Sequence, residues 1–124
     1  MLYQELTDKI IGSAYKVYNT MGFGFAEKVY ENCMMIELRK RGIKAEAQVP
    51  IVVYYEEEVV GDYIADILVE GKVILELKAV RKIKVPHEVQ TVNYLAATHL
   101  EIGLIINFAE KSVQIKRKKR RLYD

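Results

Sequence analysis

Residues 61–78 contain the feature that most restricts how this chain can fold. Residues 61–69 and 73–78 are mostly apolar runs of strand length separated by a glycine-containing linker, which predicts two strands joined by a tight turn. Asp66, Glu76 and Lys78 interrupt these runs. A charged side chain in a core-type strand costs free energy unless it is paired, bound to a metal or used in catalysis.

The length of the turn decides whether the three charged side chains meet. Glu76 and Lys78 are two residues apart, so they share one face of a strand. A three-residue loop, either 69–71 or 70–72, places Asp66 on that face, whereas a two-residue turn places it on the other. Two carboxylates that converge suit a hard divalent cation such as magnesium, and a nearby lysine can orient a water molecule. A buried salt-bridge triad explains the same residue types equally well.

Two motifs resemble those of a known enzyme superfamily. Asp66 followed by the acid-x-lysine segment 76–78 is similar to the signature of the PD-(D/E)XK nuclease superfamily. Residues 24–30, with Gly24, Glu27 and Tyr30, fit G-x-x-E-x-x-Y, so the chain resembles the GxxExxY family, a small branch of that superfamily. The resemblance runs over nearly the whole chain and implies a restriction-endonuclease-like α/β core.

The resemblance also implies roles for the central residues. In such nucleases the two acids bind magnesium or manganese, so Asp66 and Glu76 would hold Mg²⁺ or Mn²⁺. The backbone carbonyl of Leu77 would add a ligand, and Lys78 would lie beside the attacking water. The implied reaction is hydrolysis of nucleic-acid phosphodiester bonds.

The G-x-x-E-x-x-Y segment adds an acid and an aromatic residue. The resemblance implies that Glu27 is a third carboxylate near the metal, and the alternative is that it complements the positive end of its helix. For Tyr30, a supporting role at the site and packing in the core both remain open. Glu31, one turn after Glu27, is expected to be solvated.

A third pair of candidates lies in a later helix. Gln90 and Tyr94 are four residues apart and share a helix face. Their spacing resembles a Gln-x-x-x-Tyr motif of several nuclease branches, in which it contacts nucleic acid or braces the site. Packing of this helix on the sheet is the alternative.

Hydrophobic periodicity predicts the order ααβββαββ, with a mixed β-sheet flanked by helices. The predicted helices and strands cover about residues 4–20, 25–41, 49–55, 58–69, 73–80, 86–99, 102–108 and 112–115. In the second helix, we expect Val29, Cys33, Ile36 and Leu38 to point inward.

Composition indicates a single domain of 124 residues. No stretch has the length of a transmembrane helix, so we expect no membrane association. The single Cys33 excludes an internal disulfide, which favours a reducing, cytoplasmic location.

Charge is concentrated at the end of the chain. Residues 116–121 are six consecutive bases, out of 19 bases in the whole chain. The 13 bases that remain are fewer than the 17 acids. This basic C-terminal tail, residues 116–124, is expected to attract phosphates. Alternatively, the bases continue the last strand and pair with acids such as Glu56, Glu57 and Glu58.

These observations predict a magnesium-dependent nuclease acting on DNA or RNA. The alternative is a non-catalytic module that binds nucleic acid or protein on the same fold. Because so small a chain has little room for a recognition domain, specificity would come from a homodimer or a partner.

Overall fold

A computed structural model of the protein describes residues 1–120. Within that part of the chain, three helices and five strands follow one another in the predicted order ααβββαββ. The helices are α1 (Gln4–Met21), α2 (Glu27–Lys40) and α3 (Val85–Thr98), and the strands are β1 (Ala45–Tyr55), β2 (Glu58–Val69), β3 (Val73–Lys78), β4 (Ile102–Phe108) and β5 (Val113–Lys119). No helix of residues 1–120 is long and apolar enough to cross a membrane.

The five strands form one sheet in the order β1-β2-β3-β4-β5. Every neighbouring pair is antiparallel except β3 and β4, which are parallel. A parallel pair needs a long crossover connection, and α3 supplies it between β3 and β4. The predicted mixed sheet is therefore confirmed, and its one parallel pair contains the acid-x-lysine strand β3.

Helices cover both faces of the sheet. On one face, α1 and α2 bury residues such as Ile10 and Met34 against Leu75 and Leu104. On the other face, α3 packs Leu95 against Ile74 in a smaller cluster. Alternate residues of β3 therefore enter different cores, and Glu76 shares the α3 face with Ile74.

The inward face of α2 differs from the predicted one. Ile36 is 45% exposed, while Tyr30, Met34 and Leu38 are fully buried at steps of four residues. The Tyr30 ring stacks on Phe108 with ring centroids 4.2 Å apart. This contact orients the helix face that carries Tyr30, Met34 and Leu38 toward the sheet.

Most of the basic run lies in β5. Residues 116–119 pair with β4, whereas residues 121–124 lie outside the described residues. The Nζ of Lys118 is 3.0 Å from Oε1 of Glu88, and Nη2 of Arg120 is 2.5 Å from Oε1 of Glu101. The bases thus continue the last strand, and these two pair with acids near α3 and β4 rather than with the expected residues 56–58.

Candidate active site

The turn between β2 and β3 sets the register of the site. The loop is residues 70–72, in which Glu70 and Gly71 both have positive φ, of 54° and 65°. The Lys72 N–H donates to the carbonyl of Val69 over 2.9 Å. Paired positive φ values are typical of hairpin turns that match strand twist. Because the loop has three residues, the strand pairing that it sets places Asp66 opposite Glu76, with both side chains on one face of the sheet.

Where the backbone pairing between β2 and β3 ends, the two carboxylates accept hydrogen bonds from backbone N–H groups. The last residue pair toward the site is Ile67 with Leu75. Beyond it, the Asp66 N–H donates to Oε1 of Glu76 over 3.2 Å. The Leu77 N–H donates to Oδ2 of Asp66 over 2.7 Å. Each acid is therefore held by a backbone amide of the opposite strand, which fixes the pair before any ligand binds.

Burial of this pair leaves its negative charge poorly compensated. Glu76 is only 5% exposed, and burial together with the nearby Asp66 carboxylate raises its pKa to about 8. Burial also raises the pKa of Asp66, while the Leu77 N–H acts in the opposite direction. The Lys78 ammonium lowers the pKa of both acids without offsetting the effect of burial. Among the ion pairs of residues 1–120, none joins Lys78 to either acid, so the three residues do not form a salt-bridge triad.

Two further acids act on the pair from α2. Glu27 is the first residue of the helix, and its side chain is exposed. Its charge nevertheless raises the pKa of both Asp66 and Glu76, so it lies within electrostatic reach of them. The charge of Glu31 raises the pKa of Asp66 more strongly than that of Glu27 does. Helix α2 thus directs two acids toward the same end of the sheet.

The expectation that Glu31 is solvated is wrong. Glu31 is buried, and its two carboxylate oxygens accept hydrogen bonds from Lys28 and Gln48, each over 2.5 Å. Gln48 has a left-handed backbone with φ of 56°, an unusual conformation for a strand residue. Periodicity does not predict this partner, because Gln48 is 17 residues away in sequence.

The donor set fits a divalent cation, with two carboxylates at its centre. Oxygen ligands from Asp66 and Glu76 are the type that Mg²⁺ and Mn²⁺ prefer, and the backbone amides of the opposite strands hold both carboxylates in place. Over residues 1–120, no three acidic, histidine or cysteine side chains form a metal-ligand cluster. Glu27 and Glu31 therefore lie around this pair and do not complete a set of direct ligands.

Tyr94 lies on the α3 side of the sheet, in one buried cluster with Ile74, which shares a strand face with Glu76. Its side chain is almost fully buried, and burial followed by the charges of Glu76 and Asp66 raises its pKa to about 12. The polar Gln90 side chain acts in the opposite direction. The phenol of Tyr94 is thus a neutral hydrogen-bonding group on the α3 side of the acids, and Gln90 is its neighbour.

Tyr30 lies in the core and does not reach the acids through its contacts. Its hydroxyl donates to the carbonyl of Gly22 over 2.6 Å and accepts from the N–H of Phe25 over 3.4 Å. It therefore braces the loop that leads into α2. Of the two roles left open by the sequence, packing is the one that its contacts support.

Asn107 is a structural support that the motifs do not indicate. It is fully buried in β4, opposite Lys78 in the parallel pair. Its Oδ1 accepts from the N–H of Val80 and its Nδ2 donates to the carbonyl of Val80, each over 2.9 Å. Asn107 thus fixes the chain just after Lys78. A polar residue inside the apolar run 102–108 was the signal available in the sequence.

A mixed sheet with helices on both faces and an acid pair where two strands part defines a restriction-endonuclease-like fold. The PD-(D/E)XK nuclease superfamily matches residues 4–120. The chain belongs to this superfamily, whose members generally use divalent metal ions.

Two solved structures share the fold at low sequence identity. The crystal structure of SSO0001 aligns with a TM-score of 0.62 and 18% identity, covering 98% of this chain. This chain spans only 61% of the length of SSO0001. An alkaline exonuclease from Laribacter hongkongensis aligns with a TM-score of 0.53 and 10% identity, covering 93% of this chain and 82% of the exonuclease. No curated protein matches the chain at a significant level.

Proposed function

We propose that this protein is a metal-dependent nuclease that hydrolyses phosphodiester bonds of DNA or RNA. The observation that carries the proposal is the pair of half-buried Asp66 and buried Glu76, each held by a backbone amide of the opposite strand, with the pKa of Glu76 raised to about 8. A carboxylate pair whose pKa values are raised by burial and by mutual repulsion is typical of functional sites. Membership in a nuclease superfamily supports the same chemistry.

Each side chain would have a separate role that follows from its position in the site. Asp66 and Glu76, with the Leu77 carbonyl, would hold Mg²⁺ or Mn²⁺, which when bound lowers the pKa of water and stabilises charge on phosphate. Lys78 follows Glu76 on the same face and would donate a hydrogen bond to the attacking water or to a phosphate oxygen. The neutral Tyr94 phenol, supported by Gln90, would donate to the substrate from the α3 side.

We further propose that the chain belongs to the GxxExxY branch of the superfamily. The position of Glu27, exposed but within electrostatic reach of Asp66 and Glu76, supports a role as an auxiliary acid. Tyr30 supports that role indirectly because it braces the loop before Glu27. Assembly as a homodimer and a cytoplasmic location remain predictions from chain size and from the single cysteine.

A cleavage panel tests the proposal. Single-stranded DNA, duplex DNA and RNA are each incubated with magnesium or manganese and with wild-type protein, Asp66→Asn or Asp62→Asn. Asp62 is a matched control, because it is an exposed acid on the same strand. We expect cleavage by the wild type and by Asp62→Asn and none by Asp66→Asn.

Two outcomes would contradict the proposal. Equal activity of Asp66→Asn and the wild type would exclude this site as the source of cleavage. A folded wild-type protein with neither cleavage nor manganese affinity would indicate the non-catalytic module instead.

A further inference from the structure

An open groove of about 990 Å³ lies between the β1–β2 hairpin and α3. Its lining combines tyrosine and aliphatic side chains, and several of them are strongly exposed. Tyr54 is 63% exposed and Val85 is 68% exposed, and Val60 and Val89 are also exposed. A concentration of exposed apolar side chains on one surface marks an interaction site more often than isolated ones do.

This groove adjoins the candidate active site. Gln90 and Tyr94 line the groove. Tyr94 also packs in one buried cluster with Ile74, which shares a face of β3 with Glu76. The Tyr63 ring lies beside Tyr94 with centroids 5.6 Å apart and the planes tilted by 46°. Tyr94 therefore connects the groove to the sheet face that carries Glu76, although the two carboxylates do not themselves line the groove.

The distribution of charge around the groove favours an anionic chain with apolar side groups. Among the described residues that line the groove, none is acidic. The exposed bases Arg81, Lys82 and Lys84 directly precede the first lining residue of α3. At the other end of α3, His99 lines the groove, and Arg120 Nη1 lies 3.4 Å from its Nδ1. Because Arg120 is already paired with Glu101, the positive charge that a ligand would meet lies at the end of the groove next to residues 81–84.

Acidic residues limit the path of such a ligand. Glu56 and Glu57 form the turn of the β1–β2 hairpin, and Glu58 follows them. These acids lie beyond Tyr54, so they repel phosphates from the tip of the hairpin. A phosphate backbone would therefore follow the α3 side of the groove, where the bases lie.

We propose that this groove binds the unpaired bases of single-stranded nucleic acid. Tyr54 and Tyr63 would stack on bases, while residues 81–84 would contact phosphates and lead the strand to Asp66 and Glu76. Aromatic platforms beside a positively charged path are the usual means of binding single strands. A duplex stacks its bases inside, so it offers no base face to the groove. The inference rests on the proposed function in that it takes nucleic acid as the substrate.

Adjacent tyrosines offer a matched test. Tyr54 lines the groove, whereas Tyr55, 66% exposed, is not part of its lining. Binding of fluorescent oligothymidylate of about 12 nucleotides, a length within the range of single-strand sites, is measured by anisotropy in EDTA. We expect Tyr54→Ala to weaken binding about fivefold or more and Tyr55→Ala to change it less than about twofold, because stacking on one aromatic ring accounts for a difference of that order. Binding of a duplex of equal length should be the same for all three proteins.

Several results would overturn the groove assignment. Equal effects of the two substitutions, no effect of Tyr54→Ala, or no binding of oligothymidylate by the wild type would each do so. Sedimentation that shows a wild-type dimer converted to monomer by Tyr54→Ala, with unchanged binding per protomer, would assign the groove to a second copy of the chain.

The assay also separates this proposal from the nuclease proposal. Because binding is measured without metal, an inactive protein with Tyr54-dependent binding would refute the nuclease and retain the groove. An active nuclease with equal responses to both substitutions would refute the groove and retain the nuclease.

Discussion

Replacing Glu76 with glutamine should make the metal-free protein more stable at neutral pH. Glutamine has the shape of the protonated glutamate, and its oxygen can still accept the hydrogen bond that Asp66 N–H donates. The substitution therefore removes the need to take up a proton on folding and keeps the local geometry. Most core substitutions destabilise a protein, so a gain in stability would be specific evidence for a carboxylate held under electrostatic stress.

The size of the gain follows from the pKa of Glu76. In the folded protein this pKa is about 8, above the ordinary value of 4.5 that applies to the unfolded chain. Between these values the folded state binds a proton that the unfolded state has released, so stability falls as pH rises through the window. At about 1.4 kcal/mol per pH unit, the loss is on the order of 3 kcal/mol at pH 7 and 4–5 kcal/mol at pH 8. Glu76→Gln should lack this loss.

Urea unfolding in EDTA across pH 4 to 8 measures the effect. We expect the stability curves of wild type and Glu76→Gln to meet near pH 4 and to separate with rising pH. Glu46→Gln is the control, because Glu46 is an exposed acid on β1, where the same chemical replacement meets no burial. Its curve should follow that of the wild type.

Manganese should reverse the order of the two proteins. A cation that binds only the folded state stabilises it in proportion to its occupancy, so the wild type should gain stability and Glu76→Gln should gain little. Calorimetric titration should show manganese affinity for the wild type and its loss in the variant. If the two proteins keep parallel stability curves from pH 5 to 8, Glu76 ionises without penalty and the reasoning fails.

Three other perturbations test the supports of the site. Tyr30→Phe should cost about 1–2 kcal/mol in urea unfolding, because it leaves the Gly22 carbonyl without its donor, and cleavage should persist; lost cleavage at unchanged stability would give Tyr30 a direct role. Asn107→Ala should lower the free energy of unfolding by about 2–4 kcal/mol and slow cleavage, because the N–H and the carbonyl of Val80 both lose their hydrogen-bond partner. An unchanged melting temperature would contradict this expectation. Deleting residues 116–124 should lower the melting temperature, because most of β5 is removed, and a drop in nucleic-acid affinity alone would favour a free basic tail.

Local patterns in the sequence were sufficient to predict the order of elements and the central pair of acids. Strand alternation places Glu76 and Lys78 on one face, and the three-residue turn, one of the two lengths considered from the sequence, adds Asp66 to that face. The paired positive φ values at Glu70 and Gly71 agree with that local code. These features depend on residues close in sequence, so they can be predicted without knowledge of the tertiary structure.

Tertiary structure decided the features that depend on distant contacts. Tyr30 turns inward because it stacks on Phe108, and Glu31 is buried because Gln48 supplies a hydrogen bond from another element. The groove exists only because α3 packs beside the β1–β2 hairpin, more than twenty residues away in sequence. Residues that meet only after the chain folds leave no periodic pattern in the sequence. The strands and the turn between them do have such a pattern, because their residues are close in sequence.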